Sequence, residues 1–269
     1  MLNTEMRNEK TTHIDTMSTM EMLTVINEEN KNSITAVENA LPEIALAVDA
    51  ITESMQNGGR LFYIGAGTSG RIGVMDAAEC PPTFGVEKNL VIGIMAGGEN
   101  CMVKAQENVE DDALAGEHDF MKYSPTSLDV LVGISAAGSA KYVISALEKA
   151  KEIGCTAIAL TSNKNSPIDL LADISIYTNT GAEVITGSTR MKAGTSQKLV
   201  LNMLSTCAMI KTGKVYENLM INLKPTNEKL KNRMIGIASE ITGYDWVTSE
   251  KYLCDHNWSL KKVLEDFNS

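Results

Sequence analysis

The stretch RLFYIGAGTSGRIGVMDAAECPPTFG, residues 60–85, constrains this chain more than any other. An apolar run from Leu61 to Ile64 enters the turn Gly65-Ala66-Gly67-Thr68-Ser69-Gly70, after which a helix is expected. A strand that ends in exposed backbone N–H groups and hydroxyls at a helix start makes a natural anion site. The carboxylate Glu79 follows, beside a Pro81-Pro82 corner. An acid next to such a site points to chemistry on a phosphorylated ligand, and away from simple anion storage.

The rest of the chain repeats this rhythm. Short β-rich runs at 61–64, 90–95, 130–134, 157–160 and 174–177 are separated by loops and by helical patterns near 141–151, 168–171 and 193–212. Strands alternating with helices predict an α/β fold, with a parallel sheet covered on both faces. Ligands in such sheets bind beyond the carboxyl ends of the strands, so the residues just after each strand are the informative ones. Ahead of the sheet, Ser18 and Glu21 form a capping-box pattern for a first helix. A second is expected over 33–56, kinked or broken at Pro42. The tail, 227–269, reads as two or three short amphipathic helices with a break at Thr242-Gly243. The expected organisation is N-terminal helices over 1–56, a sheet domain over 57–224 and a helical segment over 225–269.

Charge and composition narrow the setting. The 269 residues carry 24 basic and 34 acidic side chains, a net charge of −10, with no dense Lys/Arg block. That balance argues against a nucleic-acid partner or an anionic membrane surface. No apolar run reaches membrane-spanning length, and the first residues lack a signal-like apolar core. Five scattered cysteines without a Cys-x-x-Cys pair read as reduced thiols. Three dispersed histidines make a histidine metal centre unexpected. The reading is a soluble, cytoplasmic protein with no metal.

Three strand ends carry the candidate residues. The first is Gly67, Thr68 and Ser69. Gly65 to Gly70 also fits the dinucleotide pattern Gly-x-Gly-x-x-Gly, but the second strand runs into Met95-Ala96-Gly97-Gly98, with Glu99 late for holding a ribose. A tight turn that needs glycine explains the spacing more simply. The second is Ser135-Ala136-Ala137-Gly138-Ser139, whose hydroxyls either hold a phosphate with the next helix start or cap that helix. The third is Thr186-Gly187-Ser188-Thr189-Arg190-Met191-Lys192, preceded by Glu183: hydroxyls and cations ahead of a long helix, with an ion-pair role for Arg190 as the plain alternative. Glu79 and Glu110 are the acid–base candidates. In Glu110-Asp111-Asp112, converging like charges would raise one carboxyl's pKa, and a solvated acidic surface is the simpler reading.

With these residues in view, the chain resembles the N-acetylmuramic acid 6-phosphate etherases of the sugar-isomerase (SIS) fold group. The resemblance runs through Leu2-Asn3-Thr4-Glu5-Met6-Arg7-Asn8, through GAGTSGRIGVMDAAECPPTFG and TGSTRMKAGTSQKLVLNM, and on to about Gly243. It implies a three-layer α/β/α sheet domain with five parallel strands, N-terminal helices and a short C-terminal helical tail. It also implies a cofactor-free lyase of cell-wall sugar recycling, cleaving N-acetylmuramic acid 6-phosphate with water to N-acetylglucosamine 6-phosphate and D-lactate. Glu79 would be the acid that protonates the leaving ether oxygen and later activates water, and Glu110 would move the C2 proton. Thr68 and Ser69 would contact the sugar, and with the strand-end candidates the expected substrate-binding set is Gly67, Thr68, Ser69, Ser135, Gly138, Ser139, Glu183, Ser188, Thr189, Arg190 and Lys192. Family members are homodimers with sites at or near the subunit interface.

Three departures stand against this pattern. Where the family carries Ala-Ser-Gly-Arg-Thr-Pro after the third strand, this chain has Ala136-Ala137-Gly138-Ser139-Ala140-Lys141. Ala182 stands where proline is common, and the C-terminal helical extension is expected to be shortened. A non-catalytic sugar-phosphate sensor like the glucokinase regulatory proteins is the alternative. The altered loop favours the sensor, and the presence of both Glu79 and Glu110 favours the enzyme.

Overall fold

The apolar runs form five parallel strands in a single sheet because each is hydrophobic on both faces and has helices to cover it. The computed structural model describes every residue except 1, 105, 107, 268 and 269. It divides into two compact units, Met1–Ala78 with Asn89–Ala208 and Glu79–Lys88 with Met209–Ser269.

In the first unit, three short 3-10 turns precede α1 (Thr19–Asn39) and α2 (Leu41–Gln56). The capping box forms as read: the Ser18 side chain accepts from the Glu21 amide, and the Ser18 amide donates to the Glu21 carboxylate at 2.8 Å. The break falls at Ala40, which places Pro42 in the first turn of α2, where a missing N–H costs nothing. Ser33 does not start a helix. It lies inside α1, where its hydroxyl donates to the Lys192 carbonyl at 3.1 Å.

Then come β1 (Leu61–Gly65), α3 (Gly67–Phe84), β2 (Val91–Met95), α4 (Asn100–Val103), α5 (Ala113–Met121), β3 (Val130–Ile134), α6 (Lys141–Ile153), β4 (Thr156–Thr161), α7 (Pro167–Leu171), β5 (Ile174–Tyr177) and α8 (Lys192–Lys211). Pro81 and Pro82 make no corner after α3 but lie within its last turns. Near a C-terminus a helix survives the loss of two amide donors, and the Gly85 amide still closes the turn on the Pro81 carbonyl at 2.9 Å. The strand order is β2-β1-β3-β4-β5, and each adjacent pair is parallel. Alternation splits β1 between two cores. Phe62 and Ile64 pack with Leu131, Phe120, Tyr142 and Leu147 on the α5–α6 side. Tyr63 faces the other way and donates its hydroxyl to the Leu201 carbonyl of α8.

The second unit holds a two-strand hairpin, β6 (Val215–Tyr216) and β7 (Leu219–Met220), and the helices α9 (Glu228–Thr242), α10 (Trp246–Asp255) and α11 (Leu260–Phe267). Its core is Met234, Ile235, Ala238, Leu253, Leu260 and Val263. Gly243, at φ +72°, ends α9 at the break read from the sequence. Among the described residues, no helix is long and apolar enough to cross a membrane.

Candidate active site

β1 and β3 are neighbours at the point where the strand order reverses, and their connections leave the sheet in different directions. That geometry opens a crevice beyond their carboxyl ends. A cleft of about 410 Å³ lies there, lined by Ala66 to Ser69 after β1, Ile134 to Ala137 and Ala140 after β3, Gly187 to Arg190 ahead of α8, and Glu5 and Glu110. Every lining residue belongs to the first unit.

The first wall needs its glycines for closeness. A Cβ on Gly65 would sit 2.8 Å from the Gly70 nitrogen, and one on Gly70 would sit 2.6 Å from the Gly65 oxygen. Larger residues would push the start of α3 off the strand end. Ser69 is buried there and donates its hydroxyl to Gln197 Oε1 of α8 at 3.0 Å. Its proton is engaged, so the oxygen faces a ligand as an acceptor.

The second wall works in the opposite sense. Ser135 Oγ accepts from the Gly138 amide at 3.0 Å, which leaves its own proton to donate. Gly138, at φ +75°, sits against Ser166, where a Cβ would come within 2.1 Å of the hydroxyl oxygen. Ala140 precedes α6 and offers no side-chain cap, so the first amides of that helix lack a side-chain acceptor at that position. A donor hydroxyl beside uncapped helix amides suits an anion.

The third wall is the turn into α8, where Ser188 and Thr189 are half-buried and Arg190 is exposed. Among the described residues, no carboxylate pairs with Arg190 at salt-bridge distance. Glu110 enters from a 3-10 turn, Val109–Asp111, between α4 and α5. Its acidic neighbours diverge from it. Asp111 lies 3.7 Å from Lys141, and Asp112 caps α5 by accepting from the Ala115 amide at 3.0 Å. The three carboxylates have three separate settings.

Gly67, Thr68, Ser69, Glu110, Ser135, Ser188, Thr189 and Arg190, all singled out in the sequence, therefore meet at one cleft. Gly138 and Ser139 do not line it; Gly138 holds the loop's shape and Ser139 is exposed. Glu183 and Lys192 are also elsewhere, with their polar groups used inside the protein. The Glu183 carboxylate accepts from the Lys192 and Ala193 amides and so caps α8. Lys192, 1% exposed, donates to Glu29 Oε2 at 2.6 Å and to the Ala182 carbonyl at 2.7 Å. Glu79 is exposed on α3 and belongs to the second unit.

Proteins of known name are similar to this chain in sequence. A family model described as "SIS domain" matches residues 105–207, and one described as "Glucokinase regulatory protein N-terminal SIS domain" matches residues 43–151. The N-acetylmuramic acid 6-phosphate etherase of Clostridium botulinum (strain Langeland) is 54% identical over 260 residues, covering 97% of this chain and 86% of that protein. The protein of that name from Pasteurella multocida is 51% identical over 263 residues, covering 98% and 87%. The chain belongs to the N-acetylmuramic acid 6-phosphate etherase family. The architecture is also that of a phosphoheptose isomerase from Neisseria gonorrhoeae (TM-score 0.55, 18% identity, 71% of this chain and 99% of that one), a likeness of fold alone.

Two cleft features of this etherase-family chain went unread in the sequence. Gln197, which orients Ser69, lies within the quoted string TGSTRMKAGTSQKLVLNM, but no spacing there aims it at the end of β1. Glu5 lies within the quoted N-terminal string, but nothing in its spacing says that residues 2–11 fold back over the strand ends.

Proposed function

We propose that this protein is a carbon–oxygen lyase that cleaves the D-lactyl ether of N-acetylmuramic acid 6-phosphate with water, releasing N-acetylglucosamine 6-phosphate and D-lactate. One observation carries the reading. A chain about half identical, along nearly its whole length, to proteins named for that reaction gathers its strand-end hydroxyls, Arg190 and Glu110 around one cleft.

The chemistry asks for an acid and a base, of which Glu110 lines the cleft and Glu79 does not. Opening the sugar ring exposes an aldehyde at C1 and makes the C2 proton acidic. A base removes that proton. The C3–O bond then breaks as an acid protonates the departing ether oxygen, leaving a C2=C3 double bond conjugated to the aldehyde. Water adds at C3, C2 regains a proton, and the products are the amino sugar phosphate and lactate. Each positioned proton transfer is worth about 10²–10⁴-fold. We assign the C2 proton to Glu110, and the ether oxygen and the incoming water to Glu79, following the family resemblance.

The hydroxyl polarities divide the substrate between the walls. Ser69 and Thr68 take the sugar, Ser69 as an acceptor. Ser135 and the first amides of α6 take the phosphate, with Gly138 and Ser139 shaping that loop. Ser188, Thr189 and Arg190 hold the remaining anionic part. We further read the protein as a cytoplasmic homodimer in amino-sugar recycling from the cell wall. Large exposed apolar side chains on α1 and α2, among them Met20, Leu23, Ile34, Leu41 and Leu46, support a second copy as partner.

The test is direct. Purified protein incubated with N-acetylmuramic acid 6-phosphate should release lactate. Glu110→Gln and Glu79→Gln should each slow release by at least about 10²-fold while still binding the sugar phosphate. A wild type that binds the ligand and releases no lactate would overturn the reading, and full activity in either variant would remove that glutamate from the mechanism.

A further inference from the structure

Among the described residues, side-chain hydrogen bonds fasten the segment 2–11 to the end of β5 and to the loops that follow β4 and β5. Asn163, which follows β4, accepts from the Asn3 amide at 2.7 Å and donates to Thr4 Oγ1 at 3.0 Å. The same Asn163 amide donates to the Ala136 carbonyl at 2.9 Å, so one side chain ties this strap to the loop that carries Ser135. Asn3 Nδ2 donates to the Tyr177 hydroxyl, Asn8 Nδ2 to the Ala182 carbonyl, and Thr11 Oγ1 to the Val184 carbonyl. Thr4 is completely buried.

Between these anchors Glu5 lines the cleft with its side chain exposed. Its carboxylate lies along the turn ahead of α8, with Oε2 3.3 Å from where a Cβ on Gly187 would sit. Among the described residues, no hydrogen bond or ion pair engages it. The strap's own packing gives no reason for an acid at this position.

We propose that Glu5 is a substrate-contacting, specificity-determining residue that accepts hydrogen bonds from neutral donors of the sugar, its hydroxyl or acetamido N–H groups. The inference rests on the sugar-phosphate reading above. An ionised carboxylate only accepts, so its partner must bring protons. Its charge also repels phosphate and carboxylate, so it turns the anionic groups of the substrate toward Ser135, the start of α6 and Arg190. Glu5 thus fixes which end of the sugar faces which wall.

Two ligands separate this role from a structural one. Calorimetry should show Glu5→Gln and Glu5→Ala binding N-acetylglucosamine 6-phosphate about tenfold or more weakly than wild type. Inorganic phosphate should bind them as tightly as wild type or more tightly, because a negative charge has gone. In turnover, KM should rise by a larger factor than kcat falls, with melting temperature unchanged. Thr4→Val, which removes one anchor, should also weaken the sugar phosphate, and combining it with Glu5→Ala should add little. Equal loss of both ligands, or no loss of either, overturns the assignment of Glu5 and leaves the etherase reading standing if wild type releases lactate. A wild type that binds no sugar phosphate overturns both.

Discussion

At Ala140 a single missing hydroxyl leaves the start of α6 without a side-chain cap. Its φ and ψ of −60° and 115° are those of an ordinary N-cap, so Ala140→Thr should cap the helix and stabilise the protein by about 1 kcal/mol, read by urea denaturation. Ala137 lines the same wall. A hydroxyl there adds a donor to a charged ligand, so Ala137→Ser should tighten sugar-phosphate binding about tenfold. Unchanged affinity would place the phosphate elsewhere. At this scale the sequence pointed to the cleft where chemistry-bearing residues closely follow a strand, as Thr68, Ser69 and Ser135 do, or directly precede a helix, as Ser188 to Arg190 do. Glu183 and Lys192, read from the same stretch, do not line the cleft, because their polar groups are used inside the protein. One caps α8 and the other pairs with a helix 163 residues away. Glu5 was illegible for a related reason: nothing periodic marks a strap whose place is set by Asn163.

Between elements, the decisive junction is where Glu29 of α1 meets the N-terminal strap and the start of α8. Glu29 is 3% exposed and takes hydrogen bonds from Lys192 (2.6 Å), Asn8 (2.7 Å) and Lys10 (2.9 Å). Burial pushes its carboxyl up, and these three donors more than offset that, holding it at about 2. An unfolded glutamate titrates near about 4.3. The folded value is the lower one, so this junction stabilises the fold fully above about pH 4.3 and loses its contribution as pH falls toward 2. Glu29→Gln leaves the buried Lys192 without its counter-charge and should cost about 3–5 kcal/mol at pH 7. Urea titrations of both proteins should show that gap narrowing between about pH 5 and pH 2. A gap independent of pH would mean that Glu29 acts through packing alone. The strands were legible to within a residue or two because fully buried parallel strands are continuous apolar runs. The helices were less so. The second helix was expected from Ser33, which instead lies inside α1 and donates to the Lys192 carbonyl. α5 hides behind an acidic run whose last member, Asp112, is its cap.

For the whole molecule the question is what covers α1 and α2. Isolated exposed leucines are ordinary on any protein surface. Here Leu23 is 57% exposed, Ile34 59% and Leu46 59%, all within two consecutive helices, alongside Met20 and Leu41. Burying several such side chains against a second copy removes their apolar surface from water, at about 25 cal/mol per Å². A C₂ pairing would use the same patch twice, which suits a patch made by one pair of helices. Sedimentation should therefore give twice the 29.1 kDa chain mass at assay concentrations. Leu23→Glu combined with Ile34→Glu places charge on that face. It should yield a folded monomer, with its far-ultraviolet circular dichroism retained and its lactate release lost if the site needs its neighbour. A double variant that still sediments as a dimer moves the interface off α1. A monomer with full activity shows instead that the cleft between β1, β3 and the start of α8 is complete within one chain, and that pairing serves stability and not catalysis.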